Sequence, residues 1–123
     1  MRLWTLALLV LTAVPANAED GRLAGDEPFE AAALASRLSG QIVEFFDGSK
    51  SRYGTGGDYG YTYTDAGPVW SGGWRTEEGS RVCVDFDNGS ARCDQFVENA
   101  GRLILIIADG TRFPVRRIDA ISE

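Results

Sequence analysis

Hydrophobic positions along the chain fall into three textures. Leu3 to Val14 is an apolar run too short to span a bilayer. Between Asp26 and Gly40, Phe29, Ala33, Leu34 and Leu38 recur at helical spacing, and the alanines at 31–33 and 35 favour the same conformation. From Gly40 onward, apolar and aromatic residues come in short segments rich in β-branched side chains. These are separated, about every ten residues, by turn signals at Asp47-Gly48, Gly56-Gly57, Ala66-Gly67, Glu78-Gly79, Asn88-Gly89, Ala100-Gly101 and Asp109-Gly110.

The pattern predicts a disordered lead over 19–25 and a single domain over 26–123. A helix is expected over about 27–39, with Asp26 as N-cap, Pro28 in the first turn and Gly40 as terminator. Strands are expected near 41–46, 51–55, 59–64, 69–76, 81–86, 91–97, 102–108 and 111–118. The expected fold is all-β or mainly β: a small antiparallel up-and-down barrel or curved meander of about 7–8 strands with the one N-terminal α-helix packed on it. Leu103 to Ile107 is apolar on both faces, so its outer face needs a cover, and the helix is the obvious candidate. Pro114 cannot donate a ladder hydrogen bond and is expected at an edge, in a barrel incompletely closed or closed by a side of weak pairing.

Arg2 before the apolar run, Pro15 after it and Ala16-Asn17-Ala18 as a small-residue cleavage site read as a signal peptide over 1–18. The alternative is a membrane anchor; no cysteine near the cleavage point offers a lipid attachment site. Export to the periplasm or beyond is the expectation, with no stable membrane anchor after cleavage. In that oxidising setting Cys83 and Cys93 are expected to form a disulfide rather than a redox-active pair, since their spacing is not C-x-x-C. The short loop closed is worth about 2.5–3 kcal/mol in the chain-entropy account. Asp87-Asn88-Gly89 suits a type I turn with a left-handed Gly89, which pairs Phe86 with Ser90 and sets Cys83 opposite Cys93. The same register sets Arg92 and Asp94 opposite Val84 and Val82, charges on a face that also carries valines. Asp85 to Gly89 lacks the acidic positions of a calcium loop and reads as a turn.

Tyr59, Tyr61 and Tyr63 share one face of a strand, and Trp70 and Trp74 one face of the next. A turn at 65–68 would set Tyr63 opposite Trp70, Tyr61 over Gly72 and Tyr59 opposite Trp74. This aromatic ladder is either core or a ligand or interaction face for a small apolar or aromatic ligand. Arg112 and Arg116 would share a strand face as an anion clamp, or pair with nearby acids as surface charges do.

The chain has a formal net charge of −6 at pH 7 and no histidine. Nucleic acid is not an expected partner, and a basic protein is; the charge alternatively serves solubility. Without histidine there is no imidazole base or ligand, and no Gly-rich phosphate loop precedes a helix. No enzyme activity, cofactor or metal is expected, and the reading is a non-catalytic binding or interaction module.

Leu38-Ser39-Gly40, Tyr61-Thr62-Tyr63, Gly72-Gly73-Trp74, Val82-Cys83-Val84, Arg92-Cys93-Asp94 and Gly110-Thr111-Arg112-Phe113-Pro114-Val115 occur in that order. In this the chain resembles a group of small secreted alphaproteobacterial proteins of unknown function, which implies a periplasmic setting and carries over no site. Ser49-Lys50-Ser51-Arg52-Tyr53 is loosely similar to the Ser-Gly-x-x-Tyr loop of periplasmic C-type lysozyme inhibitors, without its glycine. Gly72-x-Trp74 resembles the Gly-x-Trp of lipocalin-type carriers, though those carry it on their first strand.

Overall fold

A computed structural model describes residues 21–122; the expected signal peptide and residues 19–20 lie outside that range. The described elements are β1 (Glu27–Pro28), α1 (Ala31–Leu38), β2 (Gln41–Phe45), β3 (Lys50–Tyr53), β4 (Asp58–Thr62), β5 (Trp70–Glu77), β6 (Arg81–Phe86), β7 (Ala91–Asn99), β8 (Arg102–Ile106) and β9 (Arg112–Ala120). Strands β2 to β9 pair antiparallel in chain order, and β9 returns to β2, closing an up-and-down barrel. The expected strands are all present, with ends shifted by a few residues.

The closure has a weak side. Strand β9 shares only Ile104–Pro114, Leu105–Phe113 and Ile106–Arg112 with β8, then pairs with β2 from Val115 onward. Pro114 sits at the junction, where β2 has already ended at Phe45, so its missing N–H costs no rung there.

One end of the barrel is plugged. Leu34 and Leu38 of α1 are fully buried and join Val43, Tyr53, Val82, Phe96 and Leu103 in one core. The helix therefore closes an end of the barrel and does not cover the outer face of β8. It also starts later than its expected N-cap: Glu30 stands at that position with no side-chain cap, and Ala33 is exposed. Asp26 is drawn elsewhere, by Arg112.

The outer face of β8 is covered by the segment expected to be a disordered lead. Ile104, Ile106 and Val97 form a separate apolar cluster on the outside of the wall. Residues 21–28 run against it as a strap. Asp26 takes a forked pair of hydrogen bonds from Arg112 at 2.7 and 2.8 Å, and a third from Asn99 at 2.9 Å. Arg112 Nη1 also donates to Gly21 O, and Arg22 donates to Gln95 and to Gly79 O. Strand β1 then pairs with Val97 and Glu98 of β7, beyond the point where β6 begins at Arg81. Burial of apolar surface and a charge-assisted fork together hold a segment whose own composition predicts no structure.

The hairpin β6–β7 has the expected register, with Cys83 opposite Cys93 and the two bonded across a Cα–Cα distance of 4.1 Å. The turn closes through Phe86 N–H to Ser90 O, with Gly89 at φ 90°. Equivalent turns recur at 45–49 and 107–111, each with an Asp or Asn side chain accepting from the backbone N–H two residues on. All three lie at the end of the barrel opposite α1. The disulfide lies on the outer wall beside Glu77, which holds Arg75 and Arg81. Replacing both cysteines by serine is expected to lower unfolding free energy by about 2–3 kcal/mol. A lower unfolding free energy by urea titration, with the midpoint shifted down, would show it; an unchanged midpoint would refute it.

No described helix is long and apolar enough to cross a membrane. The outer wall carries ion pairs such as Arg75–Asp85, Lys50–Asp65 and Arg117–Asp119, where a membrane-spanning barrel presents an apolar band.

Candidate functional site

Because the helix plugs one end and compact turns frame the other, the barrel is a cup. Its open end leads into a cavity of about 570 Å³. Four of the five aromatic residues singled out in the sequence line it: Tyr59, Tyr61, Tyr63 and Trp70. Trp74 does not. It lies deeper, donating from Nε1 to Gly54 O at 2.9 Å and packing edge-on against Tyr53 at 5.2 Å. The ladder is thus core at its base and cavity wall at its mouth.

The register of this ladder differs from expectation by two residues. Tyr61 faces Trp70, and Tyr59 faces Gly72. The chain leaves the ladder after Thr62 and rejoins it at Trp70, so the connection spans 63–69 rather than a tight turn at 65–68. A shift of two keeps every side chain on its face, which is why the inward set was still legible. Tyr59 and Phe86 both pair with Gly72, and their rings meet edge-on with centroids 5.9 Å apart.

Arg92 and Asp94 also line the cavity, and this accounts for the charges found opposite valines in the hairpin register. Val82, Val84, Arg92 and Asp94 all point into the barrel. Arg92 donates from Nε to Asp94 Oδ2 at 2.8 Å and from Nη2 to Oδ1 at 3.1 Å. The Asp94 side chain is 11 % exposed and the Arg92 side chain 49 %. The pair is neutral overall, with Nη1 making no hydrogen bond to a described residue.

Beneath it, Tyr59 Oη and Ser51 Oγ are hydrogen-bonded at 2.9 Å. Burial pushes the Tyr59 hydroxyl up to about 12 and raises Tyr61 and the fully buried Tyr53 as well. These phenols stay protonated across the physiological range and present O–H donors. Tyr61 and Tyr63 stand edge to face at 4.9 Å near the rim. Tyr53, Phe45, Phe86, Phe113, Arg92 and Asp94 also line the cavity, and none of these was expected as a site residue from the sequence. The hairpin anomaly was the one signal that could have found the charged pair.

Arg112 and Arg116 do not form an anion clamp. Arg112 is committed to Asp26 and Gly21 O, while Arg116 lies at a bulge and approaches Glu44 at 3.8 Å. The extra residue at the bulge breaks the alternation that would have put both on one face. Ser49, Ser51 and Tyr53 are buried inside the barrel, so 49–53 presents no protruding loop of the inhibitor kind. The chain matches no protein-family model, no curated protein and no solved structure.

Proposed function

We propose that the chain is an exported, non-catalytic binding protein whose barrel holds one small amphipathic ligand with an aromatic or apolar body. The observation that carries this is the cup itself: a closed base, an open mouth and an aromatic cavity of about 570 Å³, of the size such ligands need. Tyr61, Tyr63 and Trp70 would clasp the apolar body. Arg92 Nη1 would take a neutral acceptor such as a carbonyl or hydroxyl, since Asp94 already balances its charge. The absence of histidine and the strong pairing of the charged groups in the cavity support binding without turnover. The leader-like N-terminus and the disulfide support a periplasmic setting. A basic protein partner draws support from the net charge alone, and the buried 49–53 segment weakens the inhibitor-like reading.

The probe N-phenyl-1-naphthylamine tests this. It should bind saturably at one site, with energy transfer from Trp70. Tyr61→Ala and Trp70→Ala should each weaken binding about tenfold, as loss of an aromatic contact does. Absence of saturable binding, or affinity unchanged from the parent protein in both variants, would refute the reading.

A further inference from the structure

A second concavity of about 390 Å³ opens on the weak side of the barrel, near the helix-plugged end. Below the Ile104–Pro114 rung, β8 pairs only with β7 and β9 only with β2. The wall is therefore parted between Arg102-Leu103 and the run from Val115 to Ile118. Leu103 and Val115 line the slot together with four arginines, Arg37 from the last turn of α1, Arg102, Arg116 and Arg117, and no acidic side chain is among its lining residues.

Charge bookkeeping shows what this slot lacks. Arg116 and Arg117 share Glu44 with Lys50; Arg117 also pairs with Asp119, and Lys50 with Asp65. That group is balanced. Arg37 and Arg102 are exposed and make no ion pair with a described residue. Among the described residues, a surplus of two positive charges thus stands at this concavity, in a chain whose net charge is −6. Like charges gathered around one volume repel each other unless an anion lies between them.

We propose that this slot is a binding site for a small, doubly charged anion of the phosphate class, distinct from the barrel cavity and independent of its ligand. Two uncompensated guanidiniums match a dianion, and forked N–H donors suit the several acceptor oxygens of a phosphate group. The occupant is a free small molecule, because the net negative charge opposes approach of a whole anionic membrane.

The test is calorimetric titration of the purified protein with inorganic pyrophosphate at low salt. One saturable site is expected, weakening as salt rises. Arg37→Gln and Arg102→Gln should each cost about tenfold in affinity, as loss of a charged hydrogen-bonding partner does. Trp70→Ala, in the barrel mouth, should leave pyrophosphate affinity unchanged while weakening the naphthylamine probe, so failure of one site is distinguishable from failure of the other. Both arginine variants remove exposed side chains without ion partners, and an unchanged thermal midpoint would show that they fold. No saturable binding at millimolar pyrophosphate would overturn the proposal, as would affinity unaffected by either arginine. Flotation with phosphatidylglycerol vesicles in place of pyrophosphate binding would overturn it in favour of a lipid surface.

Discussion

Replacing Asp26 by alanine is expected to destabilise the protein by about 3 kcal/mol and to release residues 21–28 from the barrel wall. Its side chain is 1 % exposed and that of Arg112 20 %. Removal leaves a largely buried guanidinium without its fork, leaves the Leu23 N–H without an acceptor, and leaves Asn99 only its longer bond to Ala24 O. The strap would then no longer shield Ile104, Ile106 and Val97. Trypsin should cut after Arg22 much faster than in the parent protein; equal cleavage rates and equal thermal midpoints would contradict the account.

The same pair carries an acid dependence. The hydrogen bonds from Arg112 are the main reason the Asp26 carboxyl lies well below the usual carboxylate range; burial opposes them, and Asn99 and the Leu23 N–H add to the lowering. A carboxyl lowered in the folded state binds protons more readily once unfolded, at about pH 4. Its stabilisation is therefore complete above about pH 5 and is lost as pH falls below about 4 toward the folded value. Asp26→Asn should lose that part of the acid dependence, so parent and variant converge in stability at low pH. Parallel curves across this window would refute the assignment.

Alanine at Gly72 is expected to cost about 3 kcal/mol, at the upper end of overpacking effects. A Cβ there would lie 2.3 Å from the Asp85 carbonyl oxygen and 2.9 Å from Phe86 Cα. Both are backbone atoms of β6, so relief requires β5 and β6 to part. The Asp87 N–H to Ser71 O bond beside it would open as well. Phe86 and Tyr59, which both pair with Gly72, line the cavity, so ligand binding should weaken along with stability. Gly73→Ala is the control. Its Cβ would meet only Gly57 O at 3.5 Å, an ordinary contact, and the effect should stay within about 1 kcal/mol. Thermal unfolding of the two variants side by side decides the matter: similar losses would mean that close approach of β6 is not what Gly72 supplies.

Three short turns of one kind frame the mouth of the cup beside the longer connection 63–69, where Tyr63 and Val69 are both well exposed. That loop bears Tyr63, a rim aromatic of the cavity, and it is also where sequence reasoning lost the register. The two facts share a cause. Short Asp/Asn-Gly turns specify pairing through their own backbone conformation, whereas the segment through Asp65 and Pro68 leaves the ladder and specifies none.

What the sequence by itself determined is therefore local. The strands and their order followed from turn chemistry at regular spacing. Cys83 fell opposite Cys93 because the turn at Asn88-Gly89 dictates the register on both sides of it. The inward face of the tyrosine strand followed from two-residue alternation, which survives an even slip. Tertiary structure alone decided the rest, because each remaining feature depends on groups far apart in the chain. Asp26 meets Arg112 across 86 positions and turns an apparent disordered lead into a strap. Closure of β9 onto β2, with its weak β8 side, parts the wall and gathers Arg37, Arg102, Arg116 and Arg117 around one slot. Curvature of the whole sheet turns Arg92 and Asp94 from an anomaly in a hairpin into the polar pair of a cavity. No turn or periodicity encodes such meetings; they arise when a closed barrel gives every strand an inside and an outside.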